Sequence, residues 1–233
     1  TVNVSFAAKD GGQGNVSTVI LKRNGEVVGT FNNPPQVKSG TATFNVALGA
    51  EGDVSLQAFA YQGNVNANNV GQSGVVQVHI DRTPPVIKAT LTPVPNANGW
   101  NKSDVTVHFD ASDTGCGVAS VTGDVVVNTE GANQKITGTT TDKAGNSASI
   151  IVTVNLDKTA PTIASALTSQ PNANGWNKSD VTVKFTGDDS LSGVDTITPE
   201  QVVQTEGADQ KIVGTVTDKA GNTASVTATV NLD

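Results

Sequence analysis

Residues 81–156 and 157–232 are one 76-residue sequence written twice: they align without a gap, agree at roughly three positions in five, and share PNANGWNKSDVTV, TEGA and TDKAGN. Asp81, Asp157 and Asp233 mark the period. A unit this short closes only a modest core, so the 233 residues are expected to form three cores in a row, with boundaries at 1–81, 82–157 and 158–233. Tandem copies of a small domain provide length, spacing and repeated display, whereas an active site is needed only once.

Composition points to strands. Apolar residues are 36% of the chain and aromatics 4%, with no Met and 24 Gly, among many Thr, Val, Ser and Asn, so short strands and turns are expected rather than helices. The net charge of −7 and 14 scattered Lys and Arg argue against nucleic acid, which needs clustered cations. No apolar run approaches the about 18 residues of a spanning helix, so membrane insertion is not expected. The chain opens at Thr1 without a leader, as expected of mature or excised sequence. With Cys116 alone, stability must come from β cores, helped by ions, rather than from an internal disulfide.

The repeat reads as strands along its length. Val105, Val107 and Phe109, like Val181, Val183 and Phe185, alternate with polar residues, the period of a strand with one buried face. Ile150, Val152, Val154 and Leu156 alternate in the same way, as do Val226, Ala228, Val230 and Leu232. Shorter strands are expected near Val118–Val121, Val125–Thr129, Lys135–Thr141 and Thr162–Thr168, with turns between them. Six or seven antiparallel strands in about 76 residues make a two-sheet sandwich of immunoglobulin type.

Residues 1–81 join this scheme through one spacing. Val2, Val4, Phe6 and Asp10 repeat the intervals of Val105, Val107, Phe109 and Asp113, which places Thr1 at the start of a second strand. Asn24-Gly25 then predicts a tight hairpin. This is a divergent sandwich without its first strand, so Val2, Val4 and Phe6 should form an open edge over the core that can accept a strand.

Asp-Arg-Thr-Pro-Pro85, Asp-Lys-Thr-Ala-Pro161, the Asp-x-x-x-x-Gly-Val loops and the Thr-Asp-Lys-Ala-Gly-Asn turns ending at Asn146 and Asn222 resemble the bacterial Ig-like repeats of large surface proteins and adhesins. The resemblance implies three tandem immunoglobulin-like β-sandwich domains arranged as an extended all-β rod. It also implies export to the cell surface, a stalk or adhesin role without catalysis, and calcium in some repeats. Partners would be neighbouring Ig-like domains, other copies of the chain or surface glycans. From the residues, the linker prolines stiffen the junctions by fixing φ.

Hard oxygen ligands for calcium are available in Asp110, Asp113, Asp142, Asp157, Asp189 and Asp218, with Asp81 and Asp188 beside them; the turn aspartates also suit plain capping of backbone amides. Trp100 and Trp176 share one repeat position, where an exposed ring would stack on a sugar, as in a carbohydrate-binding accessory module of a secreted enzyme, and a covered one would close a thin core. His79 and His108 stand on different strands at outward positions, which assembles no nucleophile triad. Cys116 matches Ser192 and reads as a tolerated substitution. Asn3, Asn15, Asn101 and Asn177 open Asn-x-Ser triplets. The resulting expectation is a non-enzymatic extracellular stalk; the alternatives are a filament subunit completed by a neighbour's strand and the sugar-binding module.

Overall fold

The computed structural model describes residues 1–8, 15–32, 38–63 and 70–233; Asp10 lies outside them. Among the described residues every regular element is a β-strand. The first domain carries β1 (Val2–Ala7), β2 (Val16–Arg23), β3 (Glu26–Asn32), β4 (Ser39–Phe44), β5 (Gly52–Gln62), β6 (Val70–Gln72) and β7 (Val76–Ile80). The second carries β8 (Val86–Thr92), β9 (Val105–Ser112), β10 (Val118–Val121), β11 (Val125–Val127), β12 (Gly131–Asp142) and β13 (Ser147–Leu156). The third repeats these as β14 (Thr162–Leu167), β15 (Val181–Asp188), β16 (Val194–Ile197), β17 (Gln201–Val203), β18 (Gly207–Asp218) and β19 (Thr223–Leu232).

Each complete repeat is a pair of three-stranded sheets: β11-β9-β8 with β10-β12-β13, then β14-β15-β17 with β16-β18-β19. Alternation along β9 explains the packing. Val105, Val107 and Phe109 are buried, while His108 and Asp110 between and beside them are exposed. Opposite Phe109, Gly138 of β12 leaves room for the ring, since a Cβ there would overlap it; Gly214 does the same for Phe185. Three separate cores result, from Phe6 to Ile80, from Val105 to Leu156 and from Val181 to Leu232. Each buried Val or Leu contributes about 1.5–3 kcal/mol, which suits small cores made largely of Val.

In the first domain β1 pairs with β4, and β3-β2-β5-β6 form the other sheet, with β7 also paired to β5. Asn24 and Gly25 have φ of 50° and 87°, the double positive φ of the hairpin turn expected there. The backbone divides into two compact units: Thr1–Pro85 with Asp113–Val118 and Asp142–Asn146, and Val86–Ser112 with Ala119–Thr141 and Ser147–Asp233. The aspartate loops 113–118 and 142–146 therefore cluster with the linker that ends the first domain.

Candidate functional site: the acidic linker pockets

Two pockets built alike gather the linker aspartates with those of the following loops. Asp157, directly after β13, meets Asp189, directly after β15, and Asp218, the last residue of β18; their ligand oxygens lie within 4.8 Å of one another. Asp157 is 0% exposed and Asp218 1%. The loops converge because each carboxylate caps a turn. Asp157 Oδ1 accepts from Thr159 N at 3.0 Å and Oδ2 from Ser192 N at 3.1 Å. Asp189 Oδ1 accepts from Gly193 N at 2.6 Å and Leu191 N at 3.2 Å. Asp218 accepts from Gly221 N, Asn222 N and Asn222 Nδ2. Gly221 adopts φ of 92°, the left-handed conformation required by this Asp-Lys-Ala-Gly-Asn turn.

Asp157 also ties two repeats together. Its backbone N–H donates to Asn101 O at 2.9 Å, within the second repeat, and its carbonyl accepts from Asn222 Nδ2 at 2.9 Å, within the third.

The other pocket combines Asp81, Asp113, Cys116 and Asp142. Cys116 N donates to Asp81 Oδ2 at 2.7 Å, Gly115 N and Gly117 N donate to Asp113 Oδ1, and Asn146 donates to both oxygens of Asp142. Asp113 Oδ2 is buried and has no hydrogen-bond partner. Hydrogen bonds from the Cys116 thiol and backbone, with Thr83 N, hold the Asp81 carboxyl below its ordinary range. Burial would push Asp142 up, but donation from the Asn146 side chain and from the backbone of Asn146, Gly145 and Ala144 holds it below its ordinary range. Burial, reinforced by the bond to Asp81, pushes the Cys116 thiol up, so this sulfur is no activated nucleophile.

Of the sequence candidates, Asp113, Asp142, Asp157, Asp189 and Asp218 enter these pockets, together with Asp81. Asp110 does not: it stands exposed on β9 in register with Lys88. Asp188, on the outer face of β15, is also exposed. Among the described residues no Lys or Arg is ion-paired with the pocket carboxylates. The donor set fits a hard dication: three carboxylates offer up to six oxygens, and the Asp113 oxygen is left without a partner. Ser192 keeps the Asp157 pocket all-oxygen, whereas Cys116 places a thiol in the other.

Trp100 and Trp176 are half-buried; each follows a turn in which the Asn96 or Asn172 side-chain oxygen accepts from the Trp backbone N–H. His79 and His108 are exposed and bonded to Asp53 and Asp124 at 2.7 and 2.6 Å. The bond to Asp53 raises the His79 pKa above its ordinary value. Asn101 and Asn177 are buried, so those two triplets offer no accessible glycan acceptor.

Two residues of the site escaped the sequence reading. Glu130 accepts from the backbone N–H of Lys158 and from the Thr159 hydroxyl, and Glu51 accepts from Arg82 N and Thr83 Oγ1 in the same way. The Glu-Gly step of TEGA, repeated at Glu51-Gly52, was their signal.

The fold and these pockets define a protein of immunoglobulin-type β-sandwich domains joined by acidic linkers. No family model matches the chain, and no curated protein matches it. Among solved structures, the fibronectin(III)-like modules of Clostridium thermocellum CbhA are similar with a TM-score of 0.33 at 17% identity, over 66% of this chain and 86% of that chain.

Proposed function

We propose that this chain is a non-enzymatic, extracellular spacer: a stalk segment whose successive Ig-like domains are aligned by the linker pockets, with calcium held at the carboxylates. The observation that carries the reading is Asp157, fully buried although it lies in a linker, and hydrogen-bonded through its backbone to one repeat and through its side chain to the next. A linker that served only as a tether would gain nothing from burying a charge; one that fixes the angle between domains does. Asp157, Asp189 and Asp218 would hold one ion, and Asp81, Asp113 and Asp142 a second, weaker one beside the protonated Cys116 thiol. Calcium would supply the positive charge that these clusters lack. The chain's own residues do the rest: the carboxylates cap the loops, Glu130 and Glu51 fix the linker backbone, and Pro85 and Pro161 limit its torsions.

Small-angle scattering of the 1–233 chain in calcium and in chelator tests this reading. The expected result is a longer and narrower distribution of dimensions with calcium, reversed by chelation. Identical curves, with no calcium bound by calorimetry, would remove the ion from the proposal. A compact particle in both conditions would remove the spacer.

A further inference from the structure

The complete repeats share Pro-Asn-Ala-Asn-Gly-Trp-Asn-Lys at 95–102 and 171–178, and Thr-Asp-Lys-Ala-Gly-Asn at 141–146 and 217–222. In the second repeat the first stretch lies between β8 and β9; in the third the other closes the hairpin of β18 and β19. That loop and that turn meet. Asn96 Nδ2 donates to Lys219 O at 2.8 Å, Asn98 Nδ2 to the same oxygen at 3.3 Å, and Lys102 Nζ to Gly221 O at 3.3 Å. A Cβ at Gly221 would lie 4.0 Å from both Asn96 Nδ2 and Lys102 Cδ, so the loop rests directly on the turn. Ala220, between the two carbonyls, is 3% exposed. Its counterpart Ala144 in the identical turn is exposed, so the burial of Ala220 comes from what packs on the turn and not from the turn itself.

Local chemistry aims the donors. Asn96 Oδ1 accepts from Asn98 N at 3.0 Å and from Trp100 N at 3.1 Å, which closes its own turn and leaves the side-chain NH₂ as the outward group. Asn172 makes the same bonds with Asn174 and Trp176, so this turn is a property of the sequence rather than of the contact. The receiving turn is held from its other side. Asp218 accepts from Gly221 N at 2.7 Å and Asn222 N at 2.8 Å, and its carboxylate meets those of Asp157 and Asp189. The turn thus has its amides on a pocket carboxylate and its carbonyls on the loop of the second repeat.

We infer that Asn96, Asn98 and Lys102 are positioning residues of the Asp157, Asp189 and Asp218 pocket. They grip, from outside the acidic cluster, the turn that presents Asp218. Every one of these contacts is a donor to a carbonyl; a carboxylate in the place of Asn96 would turn an oxygen toward Lys219 O. A cation on the carboxylates holds the same turn from inside. Ion and clasp therefore strengthen each other by one common factor, whichever is added first. The inference deepens the spacer reading and rests on it for the ion, whereas the clasp forms without one. The shared loop and the shared turn are then the two halves of one joint.

The test uses the whole ¹⁵N-labelled chain, calcium as the probe, and Asn96→Asp. This change keeps Oδ1 and the turn bonds it accepts, and replaces the donor to Lys219 O by an oxygen. In chelator, hydrogen exchange at the Gly221 and Asn222 amides should be faster in the variant, while the Val105 and Val107 amides exchange as in the parent. In a calcium titration the variant's Kd should rise about three- to thirtyfold, as for loss of one or two hydrogen bonds. The added negative charge alone would lower Kd, so the direction identifies the clasp. Lys102→Met, which touches none of the loop's own bonds, should also speed exchange at Gly221 and Asn222, and it decides the matter if Asn96→Asp disturbs the second repeat. Unchanged exchange at those amides in both variants overturns the clasp. Equal Kd in parent and variant overturns its coupling to the ion. No calcium binding by the parent, with the exchange difference still present in chelator, overturns the ion of the spacer reading and the coupling with it.

Discussion

Replacing Asp157 by Asn separates a cation site from a simple backbone cap, because the two readings predict opposite signs. Asn is nearly isosteric and keeps one acceptor, so one of the bonds from Thr159 N and Ser192 N survives and the other is lost. A buried N–H left without a partner costs about 1–3 kcal/mol. Against this stands charge. With pocket oxygens within 4.8 Å, two ionised carboxylates repel by about 3 kcal/mol at an effective dielectric constant near 20, and Asp157→Asn removes two of the three such pairs. In chelator the variant should therefore be at least as stable as the parent. In calcium the order reverses: the parent gains about 2.7 kcal/mol at a hundred times Kd, and the variant, with a ligand missing, gains little. For a domain of one repeat's size that gain is a Tm rise of about 10–20 °C. Differential scanning calorimetry in chelator and across a calcium series reads all four values. A loss of about 1–3 kcal/mol in chelator, with no calcium response in either protein, would refute the reasoning and leave Asp157 as a backbone cap alone.

Gly138→Ala should destabilise the second repeat by about 1–3 kcal/mol in urea unfolding, since its Cβ would overlap the Phe109 ring. Gly123→Ala, where a Cβ meets nothing within 4 Å, should stay within about 0.5 kcal/mol; equal effects at the two sites would contradict the packing argument. His79 should titrate by NMR above its ordinary value of 6.5 and return toward it in Asp53→Asn, because the bond to Asp53 is the main cause of the rise. As the folded pKa is raised, the stabilisation from this pair is present below the unfolded value and is lost as pH rises through the folded one. An unchanged midpoint in Asp53→Asn would assign the rise elsewhere.

The strands were legible because alternation is a local signal: Val105, Val107 and Phe109 announce their face within five residues, and Asn24-Gly25 announces its turn within two. The pockets were legible as residue types at a repeated spacing, and five of the six aspartates proposed as ligands enter them. The exception obeys the same rule that revealed the strand. Asp110 lies one step from Phe109 on the opposite face of β9, so its parity turns it to solvent, whereas Asp113 lies past the strand end and is free to turn inward. Glu130 was not legible, because its partners at Lys158 and Thr159 are 28 and 29 residues away and meet it only after the sandwich closes. The burial of Asn101 was hidden likewise: its backbone bridges to Leu156, a contact that no local pattern announces.

The position of Asp157 sets how stability is shared. Its N–H belongs to the second repeat through Asn101 O, and its carboxylate belongs to the third through Ser192 N, so its full set of bonds forms only when both repeats are folded. The same residue type recurs at Asp233, whose N–H donates to Asn177 O at 3.0 Å as that of Asp157 does to Asn101 O. Energy placed in such a residue enters the term that couples the two repeats rather than the term of either core. Repeats with few aromatics and mostly Val inside gain little from enlarging their own interiors, but a buried, hydrogen-bonded linker residue such as Asp157 adds stability where the second repeat meets the third. A cation held by the carboxylates would add to that coupling term, so its removal would loosen the junction before it unfolded either sandwich.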